Sequence, residues 1–235
     1  VPKFWVQRPP RSRDELHKLV IALFGVTIPR HKVCPDHDAP FDAFADAYFG
    51  IDSSTGRRLV MGVWHASRGL AGKSKMLSIL GMTLAYVRGY DLTVLGGSLA
   101  QSTNVTEYCR MAMNHKNLSL DFVVDETALK IVLGNKGRVR PLTASQKTVR
   151  GPHPSALLLD EVDEMDLSIY DAALGQPMKQ DNWLGERLST VTIVSSTWQN
   201  PDGTFTEVLR RAELENHRVY KWCHLDTSNP VDGWL

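Results

Sequence analysis

Apolar residues recur along this chain at two spacings, one helical and one extended, and the spacing changes from segment to segment. Leu16 to Phe24 is an apolar stretch led by Ser12 and Glu15, a capping-box pattern that predicts a short helix. Residues 25–40 carry turn signals and read as a loop. Phe41, Phe44, Ala45, Tyr48 and Phe49 then recur at helical spacing, predicting a second helix that ends at Gly50. Leu59 to Trp64 is a short apolar run compatible with a buried strand. Lys73 to Arg88 carries an apolar helical stripe of Met76, Leu77, Leu80, Leu84 and Val87. Leu92 to Leu95 reads as a strand, and Leu99 to about His115 as a helix. Phe122 to Asp125, Ala128 to Leu133 and Arg138 to Leu142 alternate and are joined by turn residues such as Asn135 and Gly137, which predicts antiparallel strands or an inserted hairpin. Ala156 to Leu159 and Thr190 to Val194 are further strands. Asp166 to Gln180 is helical at least in part, Thr204 to Asn216 is helical, and Val219 to His224 is a strand.

Strands alternating with helices imply an α/β fold with a mainly parallel sheet covered on both faces. Ligands of such sheets sit beyond the carboxyl ends of the strands. With 235 residues, 43% of them hydrophobic, the chain can bury one large core without disulfide staples. Lys+Arg 27 against Asp+Glu 26 leaves a net charge of +1, so any nucleic-acid contact has to be local rather than a general basic coat. The odd, widely spaced set Cys34, Cys109 and Cys223 argues against a disulfide framework and for a reducing compartment. No apolar run approaches the roughly 20 residues of a membrane helix, and the first residues lack the apolar core of a signal peptide. The chain lacks an initiator Met and stops on Gly233-Trp234-Leu235, so it is expected to be a processed chain or a part cut from something longer.

The strongest chemical signal lies between a strand and a helix, at Ser67-Arg68-Gly69-Leu70-Ala71-Gly72-Lys73-Ser74. The phosphate-loop pattern G-x-x-x-x-G-K-[ST] is met at Gly72, Lys73 and Ser74, while Ser67 stands at the position of its first Gly. Gly69 and Gly72 allow a tight turn that aims N–H groups inward, and the following helix adds its N-terminal dipole to an anion site. Lys73 can reach the β- and γ-phosphates of a nucleotide, and Ser74 can ligate Mg²⁺. Arg68, inside the loop, is a candidate finger on the γ-phosphate; a solvated surface arginine is the plainer reading of that residue alone.

A second signal is the apolar strand that ends in Asp160-Glu161, two carboxylates at the edge where the phosphate loop also ends. Asp160 suits Mg²⁺, and Glu161 suits activation of an attacking water. Asp163 and Glu164 fit the start of the next helix, where acids favour the dipole. Val194-Ser195-Ser196-Thr197 ends another strand with hydroxyls able to sense a γ-phosphate.

Together these elements resemble the ATPase domain of the large terminase subunit, the DNA-packaging motor of tailed phages. The resemblance spans roughly residues 40 to 205. It is carried by Pro40-Phe41 through Phe49-Gly50, Gly56-Arg57-Arg58, the Arg-bearing loop Arg68 to Ser74, Thr143-Ala144-Ser145, Arg150-Gly151, Leu157 to Glu161, and Ser195-Ser196-Thr197. The fold it implies is a P-loop NTPase of the ASCE/RecA-like type, a three-layer sandwich whose mainly parallel sheet gains added antiparallel strands. The implied boundaries are an N-terminal arm and helical lead-in over 1–37, the ATPase domain over 38–225, and over 226–235 the start of a linker toward a C-terminal nuclease domain. Nuclease activity is not expected of this chain alone. The implied ligands are ATP and Mg²⁺, bound by Ser67, Arg68, Gly69, Gly72, Lys73, Ser74 and Asp160, with Glu161, Arg68 and Lys73 catalytic and Ser195, Ser196 and Thr197 coupling hydrolysis to motion. The implied partners are double-stranded DNA, the portal protein, the small terminase subunit and further copies in a ring, with no membrane, in the host cytoplasm. Two departures stand out. Asp42 follows Phe41 where the family has a Gln that reads adenine, and the loop between Arg68 and Gly72 is one residue longer than the commonest version.

The runner-up is the first motor domain of a superfamily 2-type helicase, since Asp160-Glu161-Val162-Asp163 resembles its acidic box. A low-turnover nucleotide-binding assembly module is the third reading. Lys130, Lys136, Arg138, Arg140, Lys147 and Arg150 form a basic segment suited to tracking DNA, and Arg8, Arg11 and Arg13 a smaller cluster. Arg210 and Arg211 are guesses for an arginine supplied to a neighbour. His31, Cys34 and His37 have ligand-like spacing, with Cys223-His224 far off in sequence. Structural zinc sites pair two tight ligand clusters, so this pattern does not favour a metal. Trp64 and Trp198 read as core residues rather than stacking platforms.

Overall fold

In a computed structural model of the chain, residues 8–113, 123–127, 130–142 and 153–234 are described. Helix α1 (Arg13–Phe24) starts where Ser12 Oγ accepts the Glu15 N–H at 3.2 Å. The Glu15 carboxylate turns back to the Arg11 N–H at 2.8 Å, so the expected box closes on the preceding residue rather than on Ser12. Helix α2 (Pro40–Phe49) opens with Pro and stops at Gly50, as its apolar spacing predicts. Strand β1 (Gly62–Ala66) leads into the glycine-bearing loop and helix α3 (Lys73–Thr83). The apolar run from Leu59 thus enters the sheet three residues later than expected: Leu59 packs in the core, but exposed Val60 lies outside the ladder.

Next come β2 (Asp91–Gly96), α4 (Leu99–Met113), β3 (Val123–Thr127), β4 (Lys130–Leu133), β5 (Arg138–Leu142) and β6 (Ala156–Asp160). The chain continues through α5 (Leu167–Leu174), β7 (Val191–Ser196), α6 (Thr204–Leu214), β8 (Arg218–Trp222) and the short α7 (His224–Thr227). Phe122, Ala128, Thr143-Ala144-Ser145, Lys147 and Arg150-Gly151 lie outside the described residues.

The eight strands form one sheet in the order β3-β4-β5-β2-β6-β7-β1-β8. From β5 to β8 every neighbour is parallel, while β3–β4 and β4–β5 pair antiparallel. The segment read as antiparallel strands is therefore an extension of the main sheet. Because β7 lies between β1 and β6, its hydroxyl-rich end stands between the glycine-bearing loop after β1 and the acidic pair.

The alternation of strand side chains divides the core into two layers. Ala156 and Leu158 of β6 join Trp64, Val94 and Ile193 beneath α1, α2, α3 and α4. Leu157 and Leu159 face the other way, with Val63, Leu95 and Val194, beneath α5 and α6. Helix, sheet and helix are stacked as the three-layer α/β sandwich that the alternating pattern implies. Each fully buried Leu of β6 contributes roughly 2 kcal/mol of apolar burial, so an uninterrupted Leu-Leu-Leu run is what a strand covered on both faces requires.

The helix predicted over Lys73 to Arg88 is present, but its last turn widens into a π-helix at Leu84–Arg88. The turn joining β4 to β5 docks there. Asn135 Nδ2 donates to the Ala85 and Tyr86 carbonyls at 2.9 and 2.8 Å, tying the β4–β5 turn to the end of the widened helix. Gly137 passes so close that any Cβ would strike the Ala85 carbonyl.

The segments read from the sequence as an arm and a linker pack on this body where they are described. Helix α1 shares the α2–α4 core, and residues 227–234 lie against the glycine-bearing loop before α3. No helix among the described residues is long and apolar enough to cross a membrane.

Candidate nucleotide site

Parallel strands β1, β6 and β7 all end on one edge, and their ends build the site. Register sets Asp160 beside Ser195 and His65 beside Ser196. Between β1 and α3 the loop turns twice through the left-handed region, at Gly69 (φ 78°) and Gly72 (φ 68°). Ser67 is not among the positive-φ residues. The loop thus needs no Gly at its first position, and the imperfect motif costs no backbone strain.

The loop is held from outside. Trp222 Nε1 donates to the Ala71 carbonyl at 2.9 Å, and Thr227 Oγ1 donates to the Leu70 carbonyl at 3.0 Å. Trp222 is itself clamped edge-on against Trp64, so the loop rests on a buried aromatic pair. Trp234 lies across Gly72, where any Cβ would collide with its ring, and Lys75 Nζ sits 5.1 Å from the ring centroid.

Lys73 opens α3 and is 4% exposed. Its Nζ donates to Thr197 Oγ1 at 2.8 Å and pairs with Glu161 Oε1 at 3.2 Å. Thr197 in turn donates to the Ala66 carbonyl at 3.1 Å. Ser74 Oγ donates to Asp160 Oδ2 at 2.5 Å. The second oxygens, Asp160 Oδ1 and Glu161 Oε2, are buried without a hydrogen-bond partner among the described residues. Glu161 adopts φ 51°, ψ 51°, a left-handed conformation that costs a non-glycine residue about 1 kcal/mol or more. Two adjoining clefts of ≈ 210 and ≈ 430 Å³ share Arg68, Ser74, Tyr108 and Glu161 in their walls. Lys73, Ser74, Asp160, Glu161 and Thr197, assembled from three separate stretches of sequence, thus form one contiguous polar cluster.

Asp163 has a role the sequence did not disclose. It and Glu164 lie in a 3₁₀ turn (Val162–Glu164) rather than at the start of α5. The Asp163 N–H donates to Ser196 Oγ at 3.1 Å. Its carboxylate accepts the N–H groups of Gln199 and Asn200, both at 2.9 Å, and of Phe205 at 3.2 Å. It therefore ties the acidic turn to the loop after β7 and to the start of α6. Gln199 also accepts from exposed Arg68 at 3.3 Å, so the loop arginine joins the same chain of bonds. Glu164 takes the side chain of Gln101. Trp198, read as a core residue, is instead 48% exposed with its N–H on Thr206, whereas Trp64 is fully buried as expected.

Burial pushes the Asp160 carboxyl up to about 6; the Ser74 hydroxyl draws it down and the neighbouring Glu161 charge raises it again. Such a group holds its proton more tightly folded than unfolded. Stability therefore falls as pH rises from the unfolded value of 3.8 through the folded value, and the loss persists above it. Asp160→Asn is accordingly expected to raise thermal stability at pH 7.5 without Mg²⁺, by about 1–3 kcal/mol, and by much less at pH 4.5. Thermal unfolding at the two pH values checks this, and an equal gain at both counts against it.

Several other sequence candidates are engaged elsewhere. Arg13 pairs with Asp42 and, at 2.7 Å, with Asp46, so Asp42 is held by α1. Arg140 and Arg138 both pair with Asp91, at 2.8 and 3.8 Å, and Lys130 pairs with Asp125. Against the four described cations of the basic segment, Lys130, Lys136, Arg138 and Arg140, thus stand two carboxylates, Asp125 and Asp91, so part of its charge is compensated within the fold. Arg210 holds Glu207, and Arg211 holds Glu207 and Asp171.

No family model matches the sequence, and no curated protein matches it. Solved structures do. The large terminase of bacteriophage HK97 superposes with TM-score 0.59 and 19% identity, over 88% of this chain and 43% of that one. The large terminase of a thermophilic bacteriophage, in complex with ADP, gives TM-score 0.55 and 13% identity, over 80% of this chain and 47% of that one. Another crystal form of that thermophilic phage protein gives 0.52 and 12%, over 77% and 44%. This chain spans less than half the length of each of these proteins. Its three-layer architecture, with a mainly parallel sheet, is the fold found in bacteriophage large terminases.

Proposed function

We propose that this chain is the ATPase motor of a phage large terminase, hydrolysing ATP with Mg²⁺ to drive double-stranded DNA into a procapsid. The observation that carries the reading is the buried meeting of Lys73, Glu161 and Thr197 beside the Ser74–Asp160 pair. A hydroxyl 2.5 Å from a carboxylate whose second oxygen has no hydrogen-bond partner among the described residues offers oxygen donors of the kind a hard divalent cation takes. Bound Mg²⁺ would neutralise charge on the phosphates. Ser74 and Asp160 hold it, directly or through water, while Gly69, Gly72 and Ser67 shape the loop around the phosphates. Lys73 offers its ammonium to the β- and γ-phosphates. Glu161, beside it, orients and deprotonates the attacking water. Arg68 is exposed at the mouth of the cleft and would exchange its 3.3 Å bond to Gln199 for the γ-phosphate to act as a finger.

Coupling arises from the bonds around Thr197 and Asp163. Release of Lys73 toward a phosphate removes a donor from Thr197, which directly follows Ser196 at the end of β7, and Ser196 leads through Asp163 to Gln199 and α6. Ser195 lies against Asp160 in the register. Loss of the γ-phosphate is thereby read at the start of α6. The same reading assigns double-stranded DNA, a portal protein, a small terminase subunit and further copies of the chain in a ring as partners, in the host cytoplasm.

The test is phosphate release from ATP with and without double-stranded DNA, for this chain and for a longer one extended past residue 235. DNA-stimulated, Mg²⁺-dependent release and filling of empty capsids are expected. Strand separation instead favours the helicase reading, and ATP binding without release under any of these conditions favours the assembly module.

A further inference from the structure

Outside the nucleotide site, the described residues hold one cluster of soft and hard ligand atoms. Cys34, His37, Cys223 and Asp226 each direct one ligand atom into a common space, all within 4.8 Å of one another. They come from two tight pairs, Cys34-x-x-His37 in the loop after α1 and Cys223-x-x-Asp226 at the start of α7. This is the two-cluster arrangement of structural zinc sites. The spacing in sequence points instead to His31 and His224. His31 pairs with Asp232 at 3.0 Å, and His224 is exposed. Asp226 supplies the fourth ligand.

From this geometry we infer that Cys34, His37, Cys223 and Asp226 bind a structural Zn²⁺. The two sulfurs are 3.7 Å apart, far beyond disulfide bonding. Two Zn–S bonds of about 2.3 Å at a tetrahedral angle set the sulfurs about 3.8 Å apart. His37 Nδ1 and Asp226 Oδ2 lie 2.6 Å apart, a contact that a metal bound by both atoms would replace, with the neutral imidazole carrying its proton on Nε2. Supporting bonds surround the ligands. Asp226 Oδ1 accepts the N–H groups of Val33 and Cys34, at 2.7 and 3.1 Å, and Oδ2 accepts that of Cys223 at 2.8 Å. The Asp226 N–H is directed at the Cys223 sulfur. Such outer bonds orient ligands around metals. Asp226 is fully buried, as a carboxylate should be only when its charge is well compensated. Two thiolates with an imidazole select Zn²⁺ over Mg²⁺ or Ca²⁺.

The site would fasten the loop after α1 to the segment that supports the phosphate loop. One residue past Asp226, Thr227 holds the Leu70 carbonyl, and Trp234, whose ring lies on Gly72, donates its backbone N–H to the Thr227 carbonyl at 2.9 Å. On metal binding each thiol gives its proton to solvent. A metal held this way is independent of whether the chain is a motor.

The test is elemental analysis of the chain purified under reducing conditions. About one zinc per chain is expected, and Co²⁺ in its place should give a thiolate-to-metal band with tetrahedral visible absorption. Cys34→Ser with Cys223→Ser should lose both. A zinc chelator should lower the Tm of the wild-type chain by about 5 °C or more, restored by Zn²⁺ and not by Mg²⁺. This arm holds even if the double variant fails to fold. Absence of stoichiometric metal together with no cobalt band overturns the site, as does a Cys34–Cys223 disulfide in chain that takes up no metal.

Discussion

Lys73→Ala is expected to abolish ATP hydrolysis, with a loss of at least about 100-fold, and to weaken nucleotide binding at the same time. The double loss stems from where the ammonium sits. It is 4% exposed at the first position of α3, within 2.8 Å of Thr197 and 3.2 Å of Glu161. A buried cation there adds to the partial positive charge of the helix N-terminus, so removing it weakens both the ground state and the charge developing on transferred phosphate. Alanine also leaves Glu161 without its counter-charge and Thr197 without its donor, which costs about 1–3 kcal/mol of stability. Circular dichroism and thermal unfolding must accompany the assay, because a collapsed loop would mimic a catalytic defect. Phosphate release and titration with a fluorescent nucleotide are the readouts. Hydrolysis near the wild-type rate in a folded variant would mean that the loop is not a phosphate loop.

The parts of this site that were legible in the sequence are those whose physics is local. Leu157-Leu158-Leu159 marks a strand covered on both faces, and its end at Asp160-Glu161 fixes where two acids emerge. Gly69 and Gly72 announce turns that only glycine makes without strain, and both have positive φ. The order of strands in the sheet is a different matter. Nothing near Thr197 in the chain says that β7 inserts between β1 and β6 and so delivers its hydroxyl to Lys73. Asp163 looks like a helix-start acid because acids are common there. Its actual partners, Gln199, Asn200 and Phe205, are more than 30 residues away. Asp226 is hidden for the same reason: an Asp three residues after a Cys has no signature until the loop after α1 is folded against it. Trp234 is equally silent in sequence, because its contact with Gly72 depends on residues 227–234 folding back over the loop.

Glu161→Gln is expected to separate chemistry from binding, which Lys73→Ala cannot do. Lys73 is shared between Glu161 and Thr197. A phosphate that binds must draw the ammonium away, and the Glu161 carboxylate is then left with an oxygen that already lacks a partner. That is the state in which it can accept a proton from water. Holding it in a left-handed backbone conformation stores strain at the residue whose side chain must reach into the cleft, a common placement at functional sites. Glutamine keeps the shape and can still hydrogen-bond, but it cannot take the proton. Hydrolysis should fall by about 100- to 10,000-fold, the usual contribution of a positioned general base. Nucleotide affinity should be equal or tighter, because Lys73 no longer has to leave a carboxylate to meet a phosphate. The pairing of lost turnover with retained or improved binding, measured by single-turnover phosphate release and nucleotide titration, is the signature. Equal losses in both would demote Glu161 to a partner that positions Lys73. Unchanged hydrolysis would move the base elsewhere, with Glu164, in the wall of the same cleft, the next group to test.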